Sequence, residues 1–380
     1  MLPPGCEQRC VACRHRELDA SESEALKFQW LSQKLEPWRN QLECTVGVPA
    51  GSRLGYRDKA CLRARWSAHE NRWILGLLRR SRVPPFEEEI IEIPNCPVHS
   101  ERVRAACRWI AGALPDQIPL SFVVMTGKLM TLVLKSPPKP ELLSRVPIPP
   151  PALGLSGLWV CFNASAGERV FSHRTGDWHL VWGSGSSRLS LLERDFLYGP
   201  SSFQQALPEL FQQALLKADK FLSPKEGDSL VDLCSGIGIS LSIWRERGAR
   251  TIGVELSGEA VLHSAENAGP DLCLRGRVSE RIPQLNAWRE GEGGRRLLFA
   301  NPPRLGLERA AVDWIARDYR PERFAYLSCS AGTLARDLSL LTVAGYVVRK
   351  IIPYDFFPFT DHVEALALLE IPVLDSSPAF

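Results

Sequence analysis

Ser229-Leu230-Val231-Asp232-Leu233-Cys234-Ser235-Gly236-Ile237-Gly238, then Ile239 to Arg247, then Arg250-Thr251-Ile252-Gly253-Val254-Glu255, is the stretch whose reading decides the fold. A short apolar run enters a glycine turn, a segment of helical character succeeds it, and a second apolar run ends on a carboxylate. Strand, glycine turn, helix, strand and acid together mark a βαβ unit that handles a nucleotide. One glycine supplies backbone angles that a side chain would forbid, and another lets a ligand lie against bare backbone. Glu255, at the tip of the second strand, can accept both hydroxyls of a ribose. The third glycine of the dinucleotide pattern is missing, which favours adenosine carrying a sulfonium over a pyrophosphate. A Gly-x-Gly pair also occurs in ordinary loops, so the turn is weighed together with the motifs downstream of it.

Further apolar runs end near Leu274, Asn301 and Ser328, with helical segments between them and a helix, Leu207 to Phe221, ahead of the first. Tyr346 to Ile352 and Val363 to Leu369 close the chain as a hairpin-like pair. The fold class expected for 191–380 is α/β, a doubly wound seven-stranded Rossmann-like sheet with an antiparallel edge. Ligands of such sheets bind at the carboxyl ends of the strands, where the motifs fall. Residues 1–190 read as a separate α+β, β-rich domain, with the boundary near Leu189 to Tyr198. Its strand-like pieces are Leu120 to Met125, Met130 to Leu134, Leu158 to Phe162 and His179 to Trp182, with a proline-rich loop at Ser136 to Pro151. At 380 residues the chain is long enough for two cores.

Composition excludes some classes. No run of about 18 apolar residues is present, so no membrane-spanning helix is expected. Residues 1–20 carry Glu7, Arg9, Arg14, Arg16, Glu17 and Asp19 without an apolar core, so no secretory signal is read and a cytoplasmic setting is expected. The 11 cysteines are then read as reduced thiols or ligands rather than disulfides. Cys6, Cys10 and Cys13 stand at C-x3-C-x2-C, and Cys96 precedes Pro97. Four sulfurs complete either a zinc site or an iron–sulfur cluster. A distant fourth cysteine before proline fits cluster ligation better than a zinc ribbon, and the plain alternative is half-buried thiols near a terminus.

The net charge of +3 is small but unevenly placed. Between Arg53 and Arg82 the basic residues far outnumber the acids Asp58 and Glu70, with Tyr56, Trp66 and Trp73 among them. Gly55 to Trp66 alternates: Arg57, Lys59, Arg63 and Arg65 fall on one face of a strand, and Ala60, Leu62, Ala64 and Trp66 on the other. Cations beside rings suit single-stranded nucleic acid, and a solvated strand face is the plain alternative. Ala20 to Trp38 reads as a helix with Leu26, Trp30, Leu31 and Leu35 on one face.

The strand ends carry the chemistry. Asn301-Pro302-Pro303-Arg304 would present a rigid amide and carbonyls to a planar ligand. Cys329, in Ser328-Cys329-Ser330, sits at a strand-to-helix switch before Gly332 to Leu341, where a helix N-terminus favours thiolate. Glu364 is an acid entering an apolar strand, and such an acid is paired, protonated or functional.

With these residues in place, the sequence resembles the S-adenosylmethionine-dependent RNA uracil-C5 methyltransferase family. Phe203-Gln204 is similar to the family's Phe-Gln element, Asp232 to Gly238 to its Asp-Leu-x-x-Gly-x-Gly turn, and Asn301 to Gly306 to its (Asp/Asn)-Pro-Pro-Arg-x-Gly motif. Ser328 to Asp337 resembles Ser-Cys-x-x-x-Thr-Leu-x-Arg-Asp, and Phe357 to Glu364 resembles Phe-Pro-x-Thr-x-His-x-Glu. Gly55-Tyr56-Arg57 is similar to a strand of the family's central domain. The resemblance implies S-adenosyl-L-methionine as cofactor, bound by Gln204, Asp232, Gly236, Gly238, Glu255 and Asn301. It implies a [4Fe-4S] cluster on Cys6, Cys10, Cys13 and Cys96. It also implies covalent catalysis on a flipped-out uridine, with Cys329 as nucleophile and Glu364 as base.

The first two cysteines are closer together than is common in the family. Cys234-Ser235 replaces the usual aromatic-Cys pair in the turn. Arg277 stands where an acid often caps the third strand, so a contact to adenine is expected to be lost. Asn301, and a chain that begins almost at the cluster cysteines without an N-terminal β-barrel, point to the shorter enzymes acting on 23S ribosomal RNA. A monomer that takes RNA and meets no membrane is expected. Transfer RNA as substrate, an inactive RNA-binding relative, and a zinc-bearing structural protein are the competing readings.

Overall fold

The computed structural model describes residues 2–81, 88–165, 169–270, 272–290 and 293–372. Arg82, the end of the basic stretch, lies outside the described residues. The chain forms two compact units. One is Met1–Glu17, Pro49–Ser190 and Leu197–Leu207; the other is Leu18–Val48, Leu191–Phe196 and Pro208–Phe380. The helix α1 (Ala20–Lys34), which the sequence places with the first domain, therefore counts with the second unit. Residues 197–207, which include Gln204, count with the first.

The first unit is built on a seven-stranded sheet. Its strands are β1 (Lys59–Ser67), β2 (Arg72–Arg80), β3 (Glu88–Glu92), β4 (Leu120–Thr126), β5 (Leu129–Leu134), β6 (Gly157–Phe162) and β7 (Trp178–Gly183), in the order β3-β2-β1-β4-β5-β6-β7. Of the neighbouring pairs in this sheet, β5 and β6 run parallel and the others antiparallel. In β1 the alternation read from the sequence places Ala60 and Leu62 in the core, while Cys61 between them is exposed. The core also takes Trp73, Leu75, Met125, Leu132 and Val160, with Val103, Ala106 and Ile110 from α2 (Glu101–Ala113). Ser100 caps α2 by accepting from the Val103 amide at 3.3 Å. A one-turn helix α3 (Pro140–Leu143) follows β5, and β8 (Ser187–Leu191) and β9 (Arg194–Tyr198) lead to the next element.

The second unit is a doubly wound sheet. After α4 (Pro208–Leu222) come β10 (Ser229–Leu233), α5 (Ile239–Glu246), β11 (Arg250–Glu255), α6 (Gly258–Asn267), β12 (Cys273–Arg275), α7 (Val278–Arg289), β13 (Arg296–Ala300), α8 (Arg309–Trp314), β14 (Arg323–Ser328), α9 (Ala331–Val343), β15 (Val347–Tyr354) and β16 (Glu364–Glu370). The spatial order is β12-β11-β10-β13-β14-β16-β15. The first five are mutually parallel, and β16 lies antiparallel to both β14 and β15. The seven-stranded α/β sheet expected for this part of the chain is present, with its carboxyl ends at Cys234, Leu256, Asn301 and Cys329. β10 and β14 are buried along most of their length, as strands covered on both faces must be.

Helix α1 buries only part of the apolar face read from the sequence. Leu31 and Leu35 are fully buried, but Leu26 and Trp30 are 44% and 42% exposed. The buried face instead runs Ser23, Lys27 and Leu31 at a spacing of four. Lys27 can face inward because its ammonium donates to Asp355 Oδ1 at 2.5 Å and to the Phe357 carbonyl at 3.2 Å. A paired charge tolerates burial that an isolated one would not. Among the described residues no helix is long and apolar enough to cross a membrane.

Candidate active site

The glycine turn lies between β10 and α5. Gly236 and Gly238 take φ values of 57° and 85°, and Cys234 shares the left-handed region at 62°. At Gly238 glycine is obligatory, since a Cβ would stand 2.6 Å from Ser264 Oγ. At Gly236 a Cβ would meet nothing within 4 Å, so the turn is open on that side. Glu255 is held against it: the Gly236 amide donates to Oε2 at 3.0 Å and the Ser257 amide to Oε1 at 2.7 Å. Two backbone donors orient the carboxylate and leave lone pairs that can accept hydroxyls. Asp232 is fully buried beneath α5, where Trp244 Nε1 donates to its Oδ2 at 3.1 Å and Oδ1 has no partner among the described residues. Burial pushes its carboxyl up to about 7. An open glycine turn, an oriented carboxylate and an orphaned buried oxygen fit a cofactor carrying a ribose and an amino-acid moiety.

Asn301 follows β13, and its amide donates to the Leu233 carbonyl at 3.1 Å, tying two strand ends together. The loop after it is clamped by α9. Thr333 Oγ1 donates to the Arg304 carbonyl at 3.3 Å, and Arg336 Nη2 donates to those of Leu305 and Leu307 at 3.2 and 3.0 Å. Buried Asp337 Oδ2 accepts from the Leu307 amide at 3.1 Å and from Tyr326 Oη at 2.8 Å. Gly306 has φ 73°, and a Cβ there would lie 2.8 Å from that carboxylate. The Asn301–Gly306 and Ser328–Asp337 motifs are thus one hydrogen-bonded assembly.

Ser328 pairs with Ala365 across β14 and β16, which sets Cys329 opposite Glu364. Glu364 is 4% exposed, and Cys329 is half-buried. Burial, and then the Glu364 charge, raise the Cys329 thiol above its ordinary value, and Arg304 opposes them. The sequence expectation of a thiol tuned toward thiolate is corrected here. Ser330, not Cys329, is the N-cap of α9, so the helix N-terminus acts one residue further on. Arg304 Nη2 stands 3.3 Å from His362 Nε2. A nucleophile, an opposed carboxylate and a nearby guanidinium can carry out addition to an electrophilic double bond and a subsequent proton removal.

In the first unit, Gln204 has a buried side-chain Nε2 with no partner among the described residues. Its neighbour Phe203 is 63% exposed, with Lys59 Nζ 5.3 Å from the ring centroid. The expected basic face is partly engaged. Arg57 Nε donates to the Lys59 carbonyl at 3.0 Å, Lys59 Nζ donates to the Ser202 carbonyl at 2.9 Å, and Arg63 lies 4.5 Å over the Phe122 ring.

Cys6, Cys10, Cys13 and Cys96 come together in that unit. Burial raises the Cys13 thiol to about 11, and Cys96, Cys10 and Cys6 each add to the shift. Cys96 is also raised by burial, and the backbone at Val98 and His99 opposes the shift. Yet among the described residues no three His, Cys, Asp or Glu side chains are arranged to hold a metal ion, which departs from the metal expectation.

Two residues of the second unit lie beyond sequence reasoning. Lys27 carries no local signal, because a lysine in a helix reads as solvated. Glu308, the N-cap residue of α8, accepts from the Ser279 amide at 2.8 Å and pairs with Arg277 at 3.4 Å. The departure at Arg277 is the one signal that points to it.

Residues 295–371 match the family model described as tRNA (Uracil-5-)-methyltransferase. An uncharacterized RNA methyltransferase from Listeria innocua serovar 6a is 27% identical over 313 residues, covering 74% of this chain and 66% of that protein. One from Listeria monocytogenes serotype 4b is 30% identical over 264 residues, 66% of this chain and 55% of the relative. The chain thus spans a little under two thirds, and about half, of the length of these two. A 23S rRNA (uracil(1939)-C(5))-methyltransferase from Hahella chejuensis is 27% identical over 400 residues, 97% of this chain and 83% of the relative. In fold, the chain is similar to the Pyrococcus abyssi tRNA (uracil-54, C5)-methyltransferase solved with S-adenosyl-L-homocysteine. That likeness has a TM-score of 0.70 and 20% identity, and covers 96% of this chain and 86% of the other. The motifs assembled at the strand ends thus lie in a chain that is similar in sequence to these RNA methyltransferases and in fold to the Pyrococcus abyssi enzyme.

Proposed function

We propose that the protein transfers a methyl group from S-adenosyl-L-methionine to C5 of a uridine in RNA through a covalent adduct on Cys329. The observation that carries this reading is the placement of Cys329 opposite Glu364 at the carboxyl end of the sheet that holds the glycine turn. S-adenosyl-L-methionine, when bound, supplies an electrophilic methyl group on a sulfonium. Gly236, Gly238, Glu255, Asp232 and Asn301 of the second unit are the residues that would hold it.

Uracil C5 is a weak nucleophile, and the residues of this chain overcome that. The fraction of Cys329 that Arg304 favours as thiolate adds to C6, forming the S–C6 bond and moving the C5–C6 electron pair onto C5 and the O4 carbonyl. C5 thereby gains the electron pair that forms its bond to the methyl carbon. Glu364 then takes the proton from C5, the C5–C6 double bond re-forms, and the S–C6 bond breaks to release the thiolate. The uridine must leave its stack to reach a half-buried thiol. Arg304 offsets part of the charge that the carboxylate imposes on the sulfur.

For the substrate, we favour 23S ribosomal RNA over transfer RNA, because a relative carrying that name aligns with 97% of this chain. The basic strand β1, with Phe203 and Phe122 beside its cations, would meet the RNA backbone and unpaired bases. A [4Fe-4S] cluster on Cys6, Cys10, Cys13 and Cys96 would cross-link the start of the chain to the loop before α2, a structural role. The backbone at Val98 and His99, which favours the charged form of Cys96, supports thiolate ligation there. We place the enzyme in the cytoplasm as a monomer. The test is methyl transfer from labelled cofactor to 23S ribosomal RNA and, separately, to transfer RNA, followed by nucleoside analysis. Label in 5-methyluridine from the ribosomal RNA is expected; label on another nucleoside, or none, overturns the reading.

A further inference from the structure

Arg277, two residues after β12, is the N-cap residue of α7, a position where a side-chain acceptor is preferred. An arginine cannot cap a helix by accepting from the backbone, because its side chain has only donors. The structure supplies the missing acceptor from elsewhere. Glu308, at the start of α8, reaches across with its Oε2 2.8 Å from the amide of Ser279, the second helical residue of α7. Its Oε1 meets the Arg277 guanidinium at a long 3.4 Å. A carboxylate therefore stands at the start of α7 although the sequence position that should provide it holds a cation. Although burial works against ionisation, the Ser279 amide and hydroxyl and the Arg277 guanidinium hold Glu308 below its ordinary value, so it is charged at neutral pH.

This carboxylate stands at the start of α7, which directly follows β12, the neighbour of the strand that ends on Glu255. Burial, and then the charges of Glu255, Asp232 and Glu308, push the Cys234 thiol in the glycine turn up to about 12. The ends of β11 and β12 are adjacent: Glu255 pairs with Arg275, and the Gly276 amide donates to the Glu255 carbonyl at 2.9 Å. A nucleoside whose ribose rests on Glu255 extends its base along the carboxyl edge of the sheet, past β12 and the start of α7. The other nearby acid, Glu280, is turned away to accept from the Arg277 amide at 3.2 Å.

We infer that Glu308 is the residue that selects adenine in the cofactor, its Oε1 accepting from the exocyclic 6-amino group in place of the missing acid at position 277. This inference rests on the S-adenosyl-L-methionine reading. It requires a base with a donor at position 6. A hypoxanthine base presents a carbonyl oxygen there, which a carboxylate repels.

The test is equilibrium binding by calorimetry, with no turnover, of S-adenosylhomocysteine and S-inosylhomocysteine to the full chain. Wild type is expected to bind the adenosyl compound at least about tenfold more tightly, the scale of one hydrogen bond to a charged group. Glu308→Gln is expected to weaken the adenosyl compound about tenfold and to erase the preference. Arg277→Gln, on an exposed side chain, releases the carboxylate from its ion pair and should keep or widen the preference; it serves as well if Glu308→Gln fails to fold. Unchanged adenosyl affinity or an intact preference in Glu308→Gln overturns the inference, as does a preference lost in Arg277→Gln. Wild type that binds neither compound overturns the cofactor reading itself, and wild type that binds both equally overturns only the role of Glu308.

Discussion

Cys329 and Glu364 stand opposite one another because Ser328 and Ala365 are paired across antiparallel β14 and β16. In an antiparallel pair, directly opposed residues project to the same face and lie close together. The topology that brings β16 beside β14 therefore joins two residues 35 positions apart in sequence (364 − 329).

That relationship predicts how the thiol titrates. Burial and then Glu364 raise it, and Arg304 lowers it. Glu364→Gln should move the pH profile of Cys329 alkylation to lower pH, and Arg304→Gln should move it to higher pH. The rate of iodoacetamide labelling of the peptide containing Cys329, followed by mass spectrometry across neutral and alkaline pH, checks both directions. A profile that ignores Glu364→Gln means that the two side chains are not electrostatically coupled.

Asp232 predicts a pH-dependent stability. Its folded carboxyl is raised from 3.8 to about 7 by burial. A raised folded value means stability present below the unfolded value and lost as pH rises through the folded one. Wild type should lose stability relative to Asp232→Asn between about pH 4 and 7, by up to about 1.4 kcal/mol per pH unit. Urea unfolding of the two proteins without cofactor measures the difference, and parallel stability curves contradict it.

Lys27 and Asp355 form an ion pair with side chains 0% and 3% exposed. Lys27→Met leaves a buried carboxylate unpaired and should cost about 3–5 kcal/mol, whereas Lys27→Met with Asp355→Leu should recover most of that loss. Denaturant midpoints of the three proteins decide it. Asp355 leads into the loop that carries Thr360, His362 and Glu364, so Lys27→Met should also lower the rate of methyl transfer.

The cysteine group predicts a metal content. Anaerobically purified protein should contain iron and acid-labile sulfide and absorb in the visible range. Cys13→Ala and Cys96→Ala should each lose both. Zinc in place of iron, or no metal at all, refutes the cluster.

Much of the second unit is legible in the sequence because β10 to β14 are apolar runs that each stop at a turn or motif of recognisable chemistry. Asn301, Cys329 and Glu364 can be singled out for the same reason: each interrupts an apolar segment at its end. The features hidden from the sequence depend on distant partners. The inward face of α1 turns on Asp355, which lies 328 positions away. The carboxylate at the start of α7 comes from Glu308. The direction of the Cys329 shift is opposite to the expectation because local helix geometry favours thiolate, while burial and Glu364 oppose it more strongly. In the first unit, β2 is a nearly continuous apolar run, and its arginines at both ends hide it within the basic stretch. The helix α2 is absent from the sequence expectations although Ser100 and the Val103-Ala106-Ile110 spacing mark it.

The central claim is a sulfur bond to the pyrimidine, and it can be trapped directly. RNA containing 5-fluorouridine has no C5 proton for Glu364 to remove, so the adduct stays after methylation. Wild type incubated with this RNA and S-adenosyl-L-methionine should give a protein–RNA complex stable to denaturing gel, formed only with cofactor, whose cross-linked peptide contains Cys329. No complex, or one that persists in Cys329→Ala, would contradict the account.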